Sequence, residues 1–96
     1  MRFLHSMVRI SNTKASLQFF CQLLGLKEVR RTDHPAGRFT LIFLAAPGDE
    51  ARAASDKAPL IELTYNWDEE VYSGGRNFGH LAFETDDIYA LCERLQ

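Results

Sequence analysis

The chain has 96 residues, of which 46% are hydrophobic and 25% are charged, a composition typical of one small globular domain. Its formal charge is −2 and no run of basic residues stands out, so we expect no nucleic-acid partner. We also expect no membrane partner, because no apolar segment approaches the length of a bilayer span. The N-terminus lacks the apolar core of a signal peptide. Cys21 and Cys92 are far apart and fit reduced thiols of a cytoplasmic protein.

The first half of the chain carries strand and helix patterns in turn. Side chains of Arg2–Ile10 divide between two distinct faces at a period of two, which predicts a strand. Asn12 is a good N-cap for a helix of about three turns, predicted to end at Gly25. Two further strands are predicted over Leu26–Thr32 and Arg38–Ala45. His34 lies in the turn between them, where we expect it to be exposed.

The second half has one unusual strand. Residues Pro47–Ala58 are predicted to form a polar loop, and Pro59–Trp67, rich in apolar, β-branched and aromatic residues, a strand. Glu62 lies in the middle of that strand, where a carboxylate is costly unless a cation or donors satisfy it. A fifth strand is predicted over Asn77–Glu84. The helix after it has a cap at Asp86 or Asp87 and an apolar stripe of Ile88, Leu91, Cys92 and Leu95.

The fifth strand repeats the first. Phe3-x-His5 recurs as Phe78-x-His80, 75 residues further on, and each histidine precedes a helix cap by seven residues. The first unit is strand–helix–strand–strand–strand, whereas the second contains only its strand and helix. We therefore predict an α+β fold of βαβββ modules, with the first module at residues 1–75 and an incomplete second one at residues 76–96.

The repeat also predicts a second acidic residue. Glu62 follows His5 by 57 positions, so its counterpart should follow His80 by roughly 50–60 positions. The chain ends at Gln96 without such a residue. We expect the sequence to be incomplete relative to its own architecture.

Residues that can bind a metal share one side of the predicted strands. The shared side carries His5 and Arg9 of the first strand, Glu62, Thr64 and Asn66 of the fourth, and Arg76 and His80 of the fifth. The opposite side is apolar, as helix packing requires. In a curved sheet, two imidazoles and a carboxylate would converge on the concave face, a donor set that suits Ni²⁺, Zn²⁺, Co²⁺, Mn²⁺ or Fe²⁺. The alternative is that each histidine is an ordinary strand residue.

Several segments match a known pattern. They are His5 followed by Met7-Val8-Arg9, Ser16-Leu17-x-Phe19-Phe20, Leu24-Gly25-Leu26, Glu62-Leu63-Thr64-Tyr65-Asn66-Trp67 and Phe78-Gly79-His80. Together they resemble the glyoxalase I (lactoylglutathione lyase) family over essentially the whole chain, which would form the N-terminal part of such an enzyme. Histidine at position 5 is similar to the bacterial, nickel-preferring type.

The resemblance implies a vicinal oxygen chelate fold and a specific reaction. The family isomerises the hemithioacetal of methylglyoxal and glutathione to S-D-lactoylglutathione. His5, Glu62 and His80 fall on three of its four metal-ligand positions, with Glu62 also at a catalytic position. The implied cofactor is one divalent metal per site, Ni²⁺ first, with Zn²⁺ or Co²⁺ as alternatives. The implied assembly of the complete protein is a cytoplasmic homodimer whose active sites lie between modules of two subunits.

The resemblance also assigns a substrate site. The implied contacts to glutathione come from Arg9, Asn66 and Arg76, and the apolar pocket from Phe39 and Leu41. Two arginines suit glutathione because it carries two carboxylates. The family's fourth ligand, a glutamate that is also the main proton shuttle, has no counterpart in this chain. We therefore expect a 96-residue form to be weakly active or inactive.

Two other classes of function remain open. One is another metalloenzyme of the same superfamily, such as an extradiol dioxygenase, an epimerase or a thiol transferase acting on an antibiotic. Such enzymes would share the metal ligands but have no evident need for Arg9, Asn66 and Arg76 together. The other is a non-enzymatic binding module of this fold, which would not need ligand residues on matching faces.

Overall fold

The computed structural model describes residues 1–68, 71 and 78–95, which form five strands and three helices. The strands are β1 (Arg2–Ile10), β2 (Lys27–His34), β3 (Phe39–Ala45), β4 (Leu60–Asn66) and β5 (Phe78–Glu84). The helices are α1 (Thr13–Leu17), which continues as a π-helical segment over Gln18–Leu23, α2 (Glu50–Asp56) and α3 (Ile88–Leu95).

The five strands form one sheet in the order β2-β3-β4-β1-β5. β1 lies at the junction of two pairings, because it is parallel to β4 and antiparallel to β5. The remaining neighbours are antiparallel. The parallel pair needs a long crossover, which α1, β2 and β3 supply. The predicted α+β class and mixed sheet are confirmed.

One face of the sheet carries the main apolar core. Ile42, Leu44 and Leu63 have no exposed surface, and Ile10 is 6% exposed. The α1 segment covers these side chains with residues at helical spacing, namely Leu17, Phe20 and Cys21. This is the face on which the alternating pattern placed the apolar side chains. Its opposite face is therefore available for polar groups.

The helix covering this core begins and ends as predicted, although its second half is wider. The side chain of Asn12 accepts a hydrogen bond from the Ala15 amide at 2.9 Å. Gly25 adopts a left-handed φ of 86°, which favours glycine. Between these ends the Leu24 amide donates to the Phe19 carbonyl five residues earlier, at 3.0 Å, which is the π-helical pattern. The sequence gave no sign of this widening.

The internal repeat extends to the helix caps. Asp87 accepts a hydrogen bond from the Ala90 amide at 3.0 Å, as Asn12 does from Ala15. Both members of the second cap lie 75 residues after those of the first. Of the two predicted capping residues, Asp87 is thus the one that caps α3.

The strand pairing obeys the same repeat. His5 is opposite Ala82 in the β1–β5 ladder, and Met7 is opposite His80. An offset of 75 residues converts each pair into the other. This exchange is the signature of a local two-fold axis between β1 and β5, on which the two units of the repeat meet.

The prediction of a polar loop over Pro47–Ala58 is wrong, because α2 occupies Glu50–Asp56. This segment contains several alanines, the best helix-forming residue. Ala53 is 3% exposed and packs with Phe43 and Leu60 on the polar-bearing face of the sheet. The segment is therefore a short helix that covers one end of that face. Without a longer apolar stripe, the sequence pattern did not indicate it.

The expectation that His34 is exposed in a turn is also wrong. β2 runs two residues further than predicted, and His34 is its last residue. The imidazole is partly buried and stacks on the ring of Phe39, with centroids 4.6 Å apart and planes at 16°. Stacking on a predicted pocket residue therefore gives His34 a packing role.

The predicted apolar stripe of α3 is largely exposed. Ile88 is 52% exposed and Cys92 is exposed as well. Both cysteines are free thiols, and burial raises the pKa of Cys21 above its ordinary value. Within the described part of the chain, no helix has the length and apolar character needed to cross a membrane.

Replacing Leu63 by alanine should destabilise the protein by about 2–5 kcal/mol, because it removes a fully buried side chain. The matched control is Leu23→Ala, at a site 74% exposed, which should change the free energy of unfolding by less than about 0.5 kcal/mol. Urea unfolding of the metal-free protein measures both. Equal losses for the two variants would show that the core is assigned to the wrong face.

Candidate metal centre

One row of residues crosses all five strands at the same level. Successive register pairs join its members from β2 to β5, namely Arg30, Phe43, Glu62, Met7 and His80. His5 lies two residues before Met7 on β1 and therefore points to the same face. The sheet thus brings together the three predicted ligands from strands far apart in sequence.

The three ligand side chains make close polar contacts. His5 Nε2 lies 2.9 Å from His80 Nε2 and 2.9 Å from Glu62 Oε2. One ligand atom from each residue lies within 4.8 Å of the others. The predicted convergence of two imidazoles and a carboxylate on one face is what the geometry shows.

These contacts leave a hydrogen-bonding conflict at His5. Its Nε2 carries either one proton or one lone pair, so it cannot make a full hydrogen bond to both His80 and Glu62. A cation between the three groups would accept a lone pair from each. Adjacent donors on a metal with bonds of about 2.1 Å are about 3 Å apart. The residues present therefore fit a single divalent ion.

The protonation state of His5 also suits a ligand. Burial lowers the pKa of His5 below its ordinary value, and the positive charges of His80 and Arg30 lower it further, against the opposing effect of Glu62. The neutral imidazole, which is the metal-binding form, is thereby favoured. Glu62 is only 6% exposed, so its carboxylate needs a cation or donors nearby.

A second layer of contacts holds the His5 ring. Phe43 meets it edge to face, with centroids 5.9 Å apart. The guanidinium of Arg30 lies 4.0 Å above the Phe43 ring, within cation–π range. Phe43 and Arg30 were not predicted as site residues. The alternating pattern placed Phe43 on this face but did not reveal that its neighbour would be His5.

An open cleft of about 360 Å³ adjoins the carboxylate of Glu62. Its walls include all the predicted substrate residues that the structure describes, Arg9, Asn66, Phe39 and Leu41. Met7 and Thr64 complete the lining. Arg76, the remaining predicted substrate residue, lies outside the described residues. The volume is within the range of small-molecule sites.

The arrangement combines two chemical capabilities. A divalent ion beside Glu62 would polarise a carbonyl or hydroxyl oxygen, while a carboxylate at that point can hold a proton. The adjoining cleft offers one guanidinium, one carboxamide and an apolar wall. It therefore suits a ligand with a small reactive oxygen-bearing end and a polar, anionic remainder.

The chain belongs to the Glyoxalase/Bleomycin resistance protein/Dioxygenase superfamily, whose family model matches residues 2–96. The five-stranded sheet and the His–Glu–His cluster are consistent with this membership.

Among named proteins, the chain is similar to enzymes of one activity. It is 47% identical to a lactoylglutathione lyase of Neisseria meningitidis over 96 residues, which is 100% of this chain and 65% of that protein. It is 41% identical to a probable lactoylglutathione lyase of Synechocystis, covering 69% of that protein. A trypanothione-dependent glyoxalase I of Leishmania major superposes with a TM-score of 0.65 at 30% identity, over 99% of this chain and 64% of that one.

Replacing Glu62 by glutamine should weaken metal binding at least about 100-fold, because it removes the negative ligand. The control is Glu28→Gln, which removes an exposed carboxylate paired with Arg31 on β2. Isothermal titration with Zn²⁺ or Ni²⁺ gives the affinities, and urea unfolding verifies that both variants fold. An unchanged dissociation constant in Glu62→Gln would exclude Glu62 as a ligand.

Proposed function

We propose that this protein is a metal-dependent lactoylglutathione lyase. Its reaction would isomerise the hemithioacetal of methylglyoxal and glutathione to S-D-lactoylglutathione. The observation that carries the proposal is the juxtaposition of the His5–Glu62–His80 cluster with a cleft containing Arg9 and Asn66. Similarity to named lactoylglutathione lyases, of which the chain spans about 65% in the Neisseria case, supports the same activity.

His5, Glu62 and His80 would hold one divalent metal. The nitrogen and oxygen donor set admits Ni²⁺, Zn²⁺ and Co²⁺, and we propose Ni²⁺ as the physiological ion. When bound, the ion supplies Lewis-acid stabilisation of the negative charge that develops on the substrate oxygens. Glu62 would combine a ligand role with a place in proton transfer, since its carboxylate borders the cleft.

The cleft would bind the glutathione part of the substrate. Arg9 lies on β1 opposite Thr64, at the end of the cleft away from His5, where its guanidinium can pair with a carboxylate. Asn66 would add an amide contact, and Arg76 would provide the second cation. Phe39 and Leu41 would form the apolar wall beside the reacting carbons.

The same proposal includes a second copy of the chain. β5 is an edge strand and His80 is exposed, so the cluster is open on that side. We propose that modules divided after residue 75 assemble across this side in a cytoplasmic homodimer. The family's fourth ligand and proton shuttle would complete the cluster there.

The test is formation of thioester from methylglyoxal and glutathione by metal-loaded protein, with Ni²⁺ and Zn²⁺ compared. We expect thioester with the native metal and none after chelation. Glu62→Gln should reduce the rate strongly and Glu28→Gln should not. If a metal-loaded protein that contains the fourth ligand produces no thioester, the proposed reaction is wrong.

A further inference from the structure

The cleft contains a buried hydroxyl that no described residue satisfies. Thr64 is 8% exposed and lies in the cleft wall between Glu62 and Asn66 on β4. Its Oγ1 is inaccessible to water and is without a hydrogen-bond partner in the part of the chain that the structure describes. Such a group is costly to leave unpaired, so it indicates a partner that arrives with the ligand.

The other buried threonine shows the contrast. Thr40 is 9% exposed, and its hydroxyl accepts from the Trp67 indole at 2.9 Å and donates to Asp33 at 2.8 Å. Its hydrogen bonds are thus completed within the fold. Thr64 has the same burial on the neighbouring strand, but its surroundings in the cleft leave the hydroxyl free to bind a ligand.

The position of Thr64 indicates which part of a ligand would meet it. Alternate residues of a strand are about 7 Å apart, so Thr64 lies one such step from Glu62 and one from Asn66. It also lies opposite Arg9 in the register. A ligand whose reactive end is at Glu62 and whose carboxylate is at Arg9 would pass Thr64 with its middle portion.

We infer that Thr64 is a specificity-determining residue whose hydroxyl hydrogen-bonds an amide group of the peptide that bears the substrate thiol. The inference rests on the proposed function, because it takes the substrate to be a conjugate of a peptide thiol. A hydroxyl can both donate and accept, so it matches either the N–H or the C=O of a peptide bond. Simple thiols without an amide would leave it unsatisfied.

The test compares Thr64→Val with Thr64→Ser in the metal-loaded protein, with S-methylglutathione as the titrated ligand. Valine preserves the shape and removes the hydroxyl, so we expect affinity to fall about 10-fold. Serine keeps the hydroxyl and should stay within about 3-fold of the wild-type affinity. Thr32→Val, an exposed position on β2, is the control and should bind as the wild type does.

A second measurement separates this role from a structural one. In the ligand-free protein, Thr64→Val should raise the midpoint of urea unfolding, because it removes an unsatisfied buried hydroxyl. Thr40→Val should lower it, because it leaves Trp67 and Asp33 without their partner. A lowered midpoint for Thr64→Val would show that its hydroxyl is already paired, which overturns the inference.

The two proposals fail in different ways. If the wild-type protein binds S-methylglutathione and Thr64→Val binds it equally well, the assignment of Thr64 is wrong while the proposed function stands. If the metal-loaded wild-type protein binds no S-methylglutathione, the proposed function is wrong and the assignment falls with it.

Discussion

The register of β1 between β4 and β5 is the constraint on which the site depends. It places Met7 level with Glu62 on one side and His80 on the other, and this brings His5 within reach of both. A shift of one residue would turn His5 to the opposite face of the sheet. The apolar residues of β1 prevent that shift, because Ile10 and Val8 pack in the core beneath α1. The same packing that stabilises the fold therefore fixes the ligand geometry.

The cluster places a charge where the fold alone would not favour it. Glu62 is buried beside a histidine whose pKa is lowered, so the neighbouring imidazole offers little compensating positive charge. His5 Nε2 is close to two groups and cannot satisfy both. A divalent cation resolves both problems, since it neutralises the carboxylate and accepts the imidazole lone pairs. Metal binding and stability are linked for this reason.

Much of this site could be predicted from the sequence, because a period of two assigns each strand residue to a face. That rule placed His5, Glu62 and His80 together, and the repeated Phe-x-His motif showed that β1 and β5 are equivalent. The rule does not give register, so it could not show that Phe43 and Arg30 would hold the His5 ring. Nor could it reveal the unpaired hydroxyl of Thr64, which depends on what its neighbours fail to offer. The helix α2 was missed because only Ala53 of its residues is buried.

The most direct test of the central claim is X-ray absorption spectroscopy of the zinc-loaded protein. We expect one ion per chain with only nitrogen and oxygen neighbours, at about 2.0–2.2 Å, and outer scattering from two imidazoles. His80→Ala should remove the contribution of one imidazole. Sulfur in the ligand shell, or imidazole scattering that persists unchanged in His80→Ala, would contradict a metal centre built from His5, Glu62 and His80.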